Sequence, residues 1–306
     1  MNSVKLETKT DDYRLYHVAA PELPKNTFIV CSDSARQILY SPHLAGKKLQ
    51  DLMDKMSEIF VKAVTEKALK GEKKDKIIEF VLLSGALYYN LNYGFKKVNN
   101  IALPQCFLGI KRQRVEGTEG TFIAVSTYEN FESLVDDAIV ICGDTIASGA
   151  TIIRAINDLE KAMEEKDFKM KKLIVLSLAG STEGGRRLKK LEERLRIPTY
   201  YFVAEQLFHV MPDGTDLRFL REDSIMPDET KEYTFKTYGP VLGKEMKCAV
   251  FDWGTRCKNP QKHYHEFMEF ANDILKQNVL DAKGTEKIKR MRKEIEEEIT
   301  KTQQTL

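Results

Sequence analysis

The chain is 306 residues long, 42% hydrophobic and 31% charged, with a formal net charge of +2. That balance gives no electrostatic case for a nucleic acid or a membrane as partner. The cysteines Cys31, Cys106, Cys142, Cys248 and Cys257 lie far apart with no CxxC pair. Neither a zinc site nor a disulfide framework is predicted, and reduced thiols fit a cytoplasmic protein.

The first residues, MNSVKLETKTDD, are polar and mixed in charge, so they do not read as a signal peptide. No apolar run approaches the roughly 20 residues of a membrane span. FIVC (Phe28 to Cys31) reads as a strand, followed by an N-cap at Ser32 or Asp33 and a helix start. Between Leu49 and Leu69, Leu52, Met53, Met56, Ile59, Phe60, Ala63 and Val64 recur at helical spacing. IIEFVLLSG (Ile77 to Gly85), QCFLGIKR (Gln105 to Arg112) and TFIAVSTY (Thr121 to Tyr128) read as strands. AIVIC (Ala138 to Cys142) is another, and IIRAINDLEKAMEE is the helix after it. KLIVLSLAG, EGGRRLKKLEERL and PTYYFVAE continue as strand, helix and strand. Alternation from about Ile77 to Glu205, with short connections, predicts an α/β fold with a doubly wound, mostly parallel sheet. Past Phe208 the sequence reads as loops and short strands, then a helix after Pro260. A last helix carries Ile288, Met291, Ile295 and Ile299 on one face. Its basic half precedes its acidic half, against the helix dipole, so it must rely on packing. The expected organisation is an N-terminal region packing on the core (1–76), an α/β core (77–228) and a C-terminal extension (229–306).

Sites in such sheets sit beyond the carboxyl ends of the strands. The most informative turn there is GDTIASGAT, Gly143 to Thr151. Helix-start N–H groups and small residues suit an anion. Gly149 and Ala150 let a phosphate approach the backbone, and Thr145, Ser148 and Thr151 offer hydroxyls. The loop has neither a Walker lysine nor the glycines of a dinucleotide fingerprint. It carries Asp144 instead, which would repel phosphate but can accept both hydroxyl protons of a ribose. The ligand implied is a ribose 5-phosphate group.

This pattern, through Val140, Ile141, Gly143, Asp144, Ile146, Ala147, Ser148, Gly149 and Thr151, resembles the signature of type I phosphoribosyltransferases. The uracil phosphoribosyltransferase branch is most similar. LGIKRQR places Arg112 at that branch's arginine position, SLAGSTEGGRR matches it at Glu183 and Gly184, and VLLSGALY resembles its strand-end turn at Ser84 and Gly85. The resemblance spans about Ile77 to Asp216. It implies transfer of ribose 5-phosphate from phosphoribosyl pyrophosphate to a small nitrogenous acceptor, with Mg²⁺ and a homodimer. Asp144 and Arg112 would be the catalytic residues. Thr145, Ala147, Ser148, Gly149, Ala150 and Thr151 would join Asp144 at the ribose 5-phosphate. Ser84, Gly85 and Arg112 would hold pyrophosphate, and RQRVEGTEGTF would form a hood that excludes water. No direct protein ligand to a metal is assigned.

Three departures stand out. Gly143 occupies the place of the family's first acid. Leu83 and Ser84 stand where the branch carries an arginine; Lys96, Lys97, Lys111 and Arg114 are candidate substitutes. In the base-reading segment, HVMPDGTDLRF keeps only Pro212, Gly214 and Asp216 in place. Uracil is therefore not the expected acceptor, and His209, Met211, Pro212, Asp213, Gly214 and Asp216 are the candidate acceptor residues. The alternative is a non-catalytic sensor of phosphoribosyl pyrophosphate or a nucleotide. In the C-terminal extension, Asp252, Trp253 and Arg256 are candidates to close over a site or build a dimer contact, and His263 and His265 read as surface residues.

Overall fold

A computed structural model describes residues 2–83, 85–114, 122–248 and 253–305. Within them the chain opens with β1 (Ser3–Lys9), β2 (Arg14–Ala19), β3 (Asn26–Cys31), α1 (Asp33–Tyr40) and α2 (Gly46–Lys67). β4 (Ile77–Leu82) leads through a short 3₁₀ turn (Gly85–Tyr89) into α3 (Leu91–Asn99), β5 (Gln105–Arg114) and β6 (Phe122–Asn130). Next come β7 (Ala138–Gly143), α4 (Ala150–Glu164), β8 (Met170–Ser177), β9 (Gly180–Ser181), α5 (Thr182–Leu195) and β10 (Thr199–Ala204). The chain continues through β11 (Leu207–Val210), β12 (Leu217–Arg218), α6 (Asp228–Glu245), α7 (Trp253–Lys258), α8 (Pro260–Lys276) and α9 (Ala282–Thr305).

Among the described residues, one sheet runs in the order β1-β2-β3-β10-β8-β7-β4-β5-β6. From β3 to β5 every pairing is parallel. The buried strands IIEFVL and AIVICG are apolar almost throughout, as strands covered on both faces must be. The expected α/β class with a mostly parallel sheet is what the structure shows. Two expectations change at the edges. β6 is not another parallel strand but returns antiparallel along β5. The sheet also crosses the division expected at residue 76, because β3 pairs directly with β10. A second, small sheet joins β9, β11 and β12.

Ser32 caps α1 by accepting from the Ala35 N–H. Beside it, the buried Glu205 at the end of β10 accepts from Ser32 N at 2.9 Å, Arg36 Nε at 3.2 Å and Thr230 Oγ1 at 2.9 Å. That carboxylate fastens the sheet to α1 and to α6. Residues 228–245 read as loop in the sequence but form α6. The helical signal is hidden because its inward positions include Thr230 and Thr234, which are buried, and because Gly239 (φ 77°) and Pro240 break its course.

α9 finds the packing it needs on α8 and α6, burying Ile288, Met291 and Ile295. The histidine expectation holds for one residue and fails for the other. His265 is exposed and pairs with Glu269. His263 is fully buried against the Pro42 carbonyl, and burial pushes its imidazole down to about 3. Arg256 does not reach outward: it is buried and donates to the carbonyls of Ile38, Ser41 and Leu44 of its own chain. Asp252 lies outside the described residues, as does the side chain of Trp253.

Candidate functional site

β7 is central in the sheet, between β8 and β4, so its carboxyl end opens near the middle of that edge. The chain leaves it through Asp144, bonded by its N–H to Leu176 O (3.0 Å) and by its carbonyl to Ser177 Oγ (2.7 Å). Both bonds come from the end of β8. Asp144 is 7% exposed and accepts Thr145 N through Oδ1 at 2.8 Å. Ile146 then pairs with β9: its N–H donates to Ala179 O and its carbonyl accepts from Ser181 N. Ser181 caps α5 by accepting from Gly184 N, and its own hydroxyl donates to the Ala147 carbonyl. One serine thus ties the loop to the next helix.

Gly149 ends the loop in the left-handed region at φ 78°, a conformation that favours glycine, and starts α4. No side chain caps this helix end. The first N–H groups of a helix have no intrahelical partner, and such a start has the chemistry to accept an anion. Gly184 makes the close approach possible: a Cβ there would overlap the Ile146 side chain and press on the Ala147 carbonyl. At Gly184 the match is therefore a packing requirement of the loop.

The candidate acceptor segment comes to the same place. β11 and β12 form a hairpin whose tip, at Gly214, accepts from Ser148 N at 3.3 Å. The Ser148 amide is thereby bonded to protein, whereas the expectation at this residue rested on its hydroxyl. Within the hairpin, Asp213 accepts from Thr215 N and Asp216 N, both at 3.0 Å. Burial alone would raise the Asp213 carboxyl, but these donors hold it below the usual range. Asp216 grips Arg218 at 2.8 Å and 2.6 Å. Met211 and Gly214 bond along the turn, and Pro212 is exposed. His209 differs from these: its Nδ1 bonds to Asp223, and its side chain remains 30% exposed. Asp223 in turn faces Arg186 and, through its carbonyl, Thr182 at the start of α5.

At the strand-end turn after β4, Ser84 lies outside the described residues and Gly85 begins the 3₁₀ turn. The flanking Leu83 and Leu87 are exposed. The backbone of Arg112 lies in β5, while its side chain, like those of Gln113 and Arg114, is outside the described set; so are residues 115–121 of the expected hood. Lys96 and Lys97 sit in the last turn of α3, roughly 10 Å from its start beside the turn. Lys97 stacks over Tyr93. Lys111 is exposed on β5.

Sequence reasoning missed Tyr89. Its ring fills the space over Gly143, where a Cβ would lie 2.7 Å from ring carbons. Its oxygen accepts Leu178 N at 2.9 Å. Burial and the Asp144 carboxylate both push this phenol above its usual range.

The model of the PRTase-CE family matches residues 35–247, more than half of the chain. The chain belongs to the PRTase-CE family. This is a phosphoribosyltransferase family, and the match covers the loop after β7, the strand-end turn and the hairpin. The PRTase-CE chain also resembles a solved adenine phosphoribosyl transferase from Trypanosoma brucei, in complex with AMP, pyrophosphate and ribose-5-phosphate. That likeness has 14% identity and a TM-score of 0.33, covering 61% of this chain and 85% of the other. No match was found among the curated protein sequences.

Among the described residues of this PRTase-CE protein, no three or more His, Cys, Asp or Glu side chains cluster to hold a metal ion. Asp144 is the acid the loop itself offers. That donor set fits a Mg²⁺ carried by phosphate oxygens, the usual mode for this ion. No helix among the described residues is long and apolar enough to cross a membrane.

Proposed function

We propose that the protein transfers ribose 5-phosphate from phosphoribosyl pyrophosphate to a small nitrogenous acceptor other than uracil. The observation that carries this reading is the loop after β7. Asp144 stands at the strand end, and an uncapped α4 N-terminus follows it within one tightly pinned turn. A carboxylate suits two ribose hydroxyls, and the amide-lined helix start suits the 5-phosphate.

In the reaction the bond from C1′ to the pyrophosphate oxygen breaks, and its electron pair leaves with pyrophosphate. The acceptor nitrogen's lone pair forms the new bond to C1′, and the nitrogen then releases its proton. No protein nucleophile is required. The chain holds the two reactants in register and keeps water away from a cation-like sugar. Bound Mg²⁺ would neutralise charge on the departing pyrophosphate. Arg112 is proposed for the same oxygens, because a guanidinium matches paired phosphate oxygens. The hairpin tip at Gly214 supports placing the acceptor beside the loop. There His209, oriented by Asp223, is the side chain we assign to the acceptor N–H.

A second reading, a sensor that binds phosphoribosyl pyrophosphate without turnover, is favoured by one feature. The turn after β4 exposes Leu83 and Leu87 where a pyrophosphate site would carry charge. Calorimetric titration with phosphoribosyl pyrophosphate and Mg²⁺ tests both readings, and absence of heat at millimolar ligand rejects both. Pyrophosphate release across a panel of nucleobases and small amines then separates them. Release with one acceptor establishes the enzyme, whereas tight binding with no release anywhere leaves the sensor.

A further inference from the structure

Tyr89 is the last residue of the turn that follows β4, yet its side chain belongs to the loop after β7. The ring lies on Gly143, and any side chain at that position would displace it. The oxygen accepts the Leu178 N–H, just past the end of β8. Burial, together with the Asp144 charge, raises this phenol above its usual range. Ser177 donates to the Asp144 carbonyl. One buried residue therefore joins three strand ends: β4 through its own backbone, β7 through Gly143, and β8 through Leu178.

We infer that Tyr89 is a positioning residue that couples the pyrophosphate turn to the ribose loop, so that occupancy of one favours binding at the other. The inference rests on the ribose 5-phosphate reading of the loop and deepens it. The absent acid at Gly143 is then an exchange: the strand gives up a side chain, and the space goes to a connector between two half-sites. A tightly packed connector with few alternative positions transmits a shift instead of absorbing it. Gly143 is the receiving end, because the ring lies on it and the next residue, Asp144, holds the Thr145 N–H.

The test uses the full chain and two simple probes, ribose 5-phosphate and inorganic pyrophosphate, with Mg²⁺ throughout. Ribose 5-phosphate affinity is measured with and without saturating pyrophosphate. In the unaltered protein, pyrophosphate is expected to tighten ribose 5-phosphate binding about tenfold, within the usual range for coupled sites. Tyr89→Phe keeps the ring over Gly143 and removes the oxygen. Its coupling is expected to fall to about twofold or less, with ribose 5-phosphate alone binding about as in the parent. A merely structural tyrosine would leave the coupling intact. Gly143→Ala provides a second route, because its methyl shifts the ring and with it the oxygen; the same loss is expected. Coupling that persists in both variants, or that is absent from the parent although both probes bind, overturns the inference alone. A parent protein that binds neither probe overturns the ribose 5-phosphate reading itself.

Discussion

The loop after β7 and the hairpin between β11 and β12 touch at Ser148 and Gly214, and they are built on opposite rules. The loop packs small side chains against Ser181 and Gly184 behind it and ends at a helix start that no side chain caps. The hairpin spends its backbone on its own turn, and Asp213 and Asp216 bond to neighbours within it. Recognition by backbone amides tolerates wide change in sequence, since every residue but proline carries the same donor. Recognition by side chains does not, and a pocket that reads a base edge changes as its residues change.

That contrast can be broken most sharply at Asp144. Asp144→Asn should weaken phosphoribosyl pyrophosphate binding about a hundredfold, the loss of about 3 kcal/mol from charged hydrogen bonds. Calorimetry checks it, and binding within twofold of the parent would remove Asp144 from the ribose. Asp223→Asn probes the other loop. It should lower kcat about tenfold by disorienting His209 while leaving phosphoribosyl pyrophosphate affinity nearly unchanged. Equal losses in both quantities would mean that the loops are not separable.

Ser181→Ala removes a helix cap and the tie to Ala147 together. Urea unfolding should show a loss of about 1–2 kcal/mol, and ribose 5-phosphate affinity should drop severalfold. Asp213→Ala should cost least, about 1 kcal/mol or below, with ligand affinity unaffected. Its pH dependence has a defined sign. The folded carboxyl titrates below its ordinary value of 3.8, so its contribution is full above that pH. The contribution is lost as pH falls through the folded value. The stability gap between parent and Asp213→Ala should accordingly narrow below about pH 4.

Much of the sheet was legible because buried parallel strands announce themselves as apolar runs, as IIEFVL and AIVICG do. The turn after β7 was legible for a related reason: small residues between an apolar run and an amphipathic one mark a strand-to-helix connection. Other parts were hidden in physical ways. α6 presents buried threonines to the core, so its inward face does not read as apolar. His263 looked like a surface residue because nothing in the chain near it foretells the Pro42 carbonyl. Gly143 read as a lost acid, since its counterpart Tyr89 lies on another strand's turn and meets it only in the fold. The partners of His209 and Glu205 are long-range in the same way.

The three carbonyls that Arg256 satisfies have a consequence for the order of assembly. Ile38, Ser41 and Leu44 leave the ribosome early, whereas the guanidinium that closes them arrives after the whole phosphoribosyltransferase segment has been made. Until then the Ile38 and Leu44 carbonyls lack this donor, whereas the Ser41 carbonyl already accepts from Leu44 N. A nascent chain can pair its central strands before that moment, but it cannot finish sealing this end of the core. Completion of the N-terminal layer thereby waits for a residue 212 positions beyond Leu44.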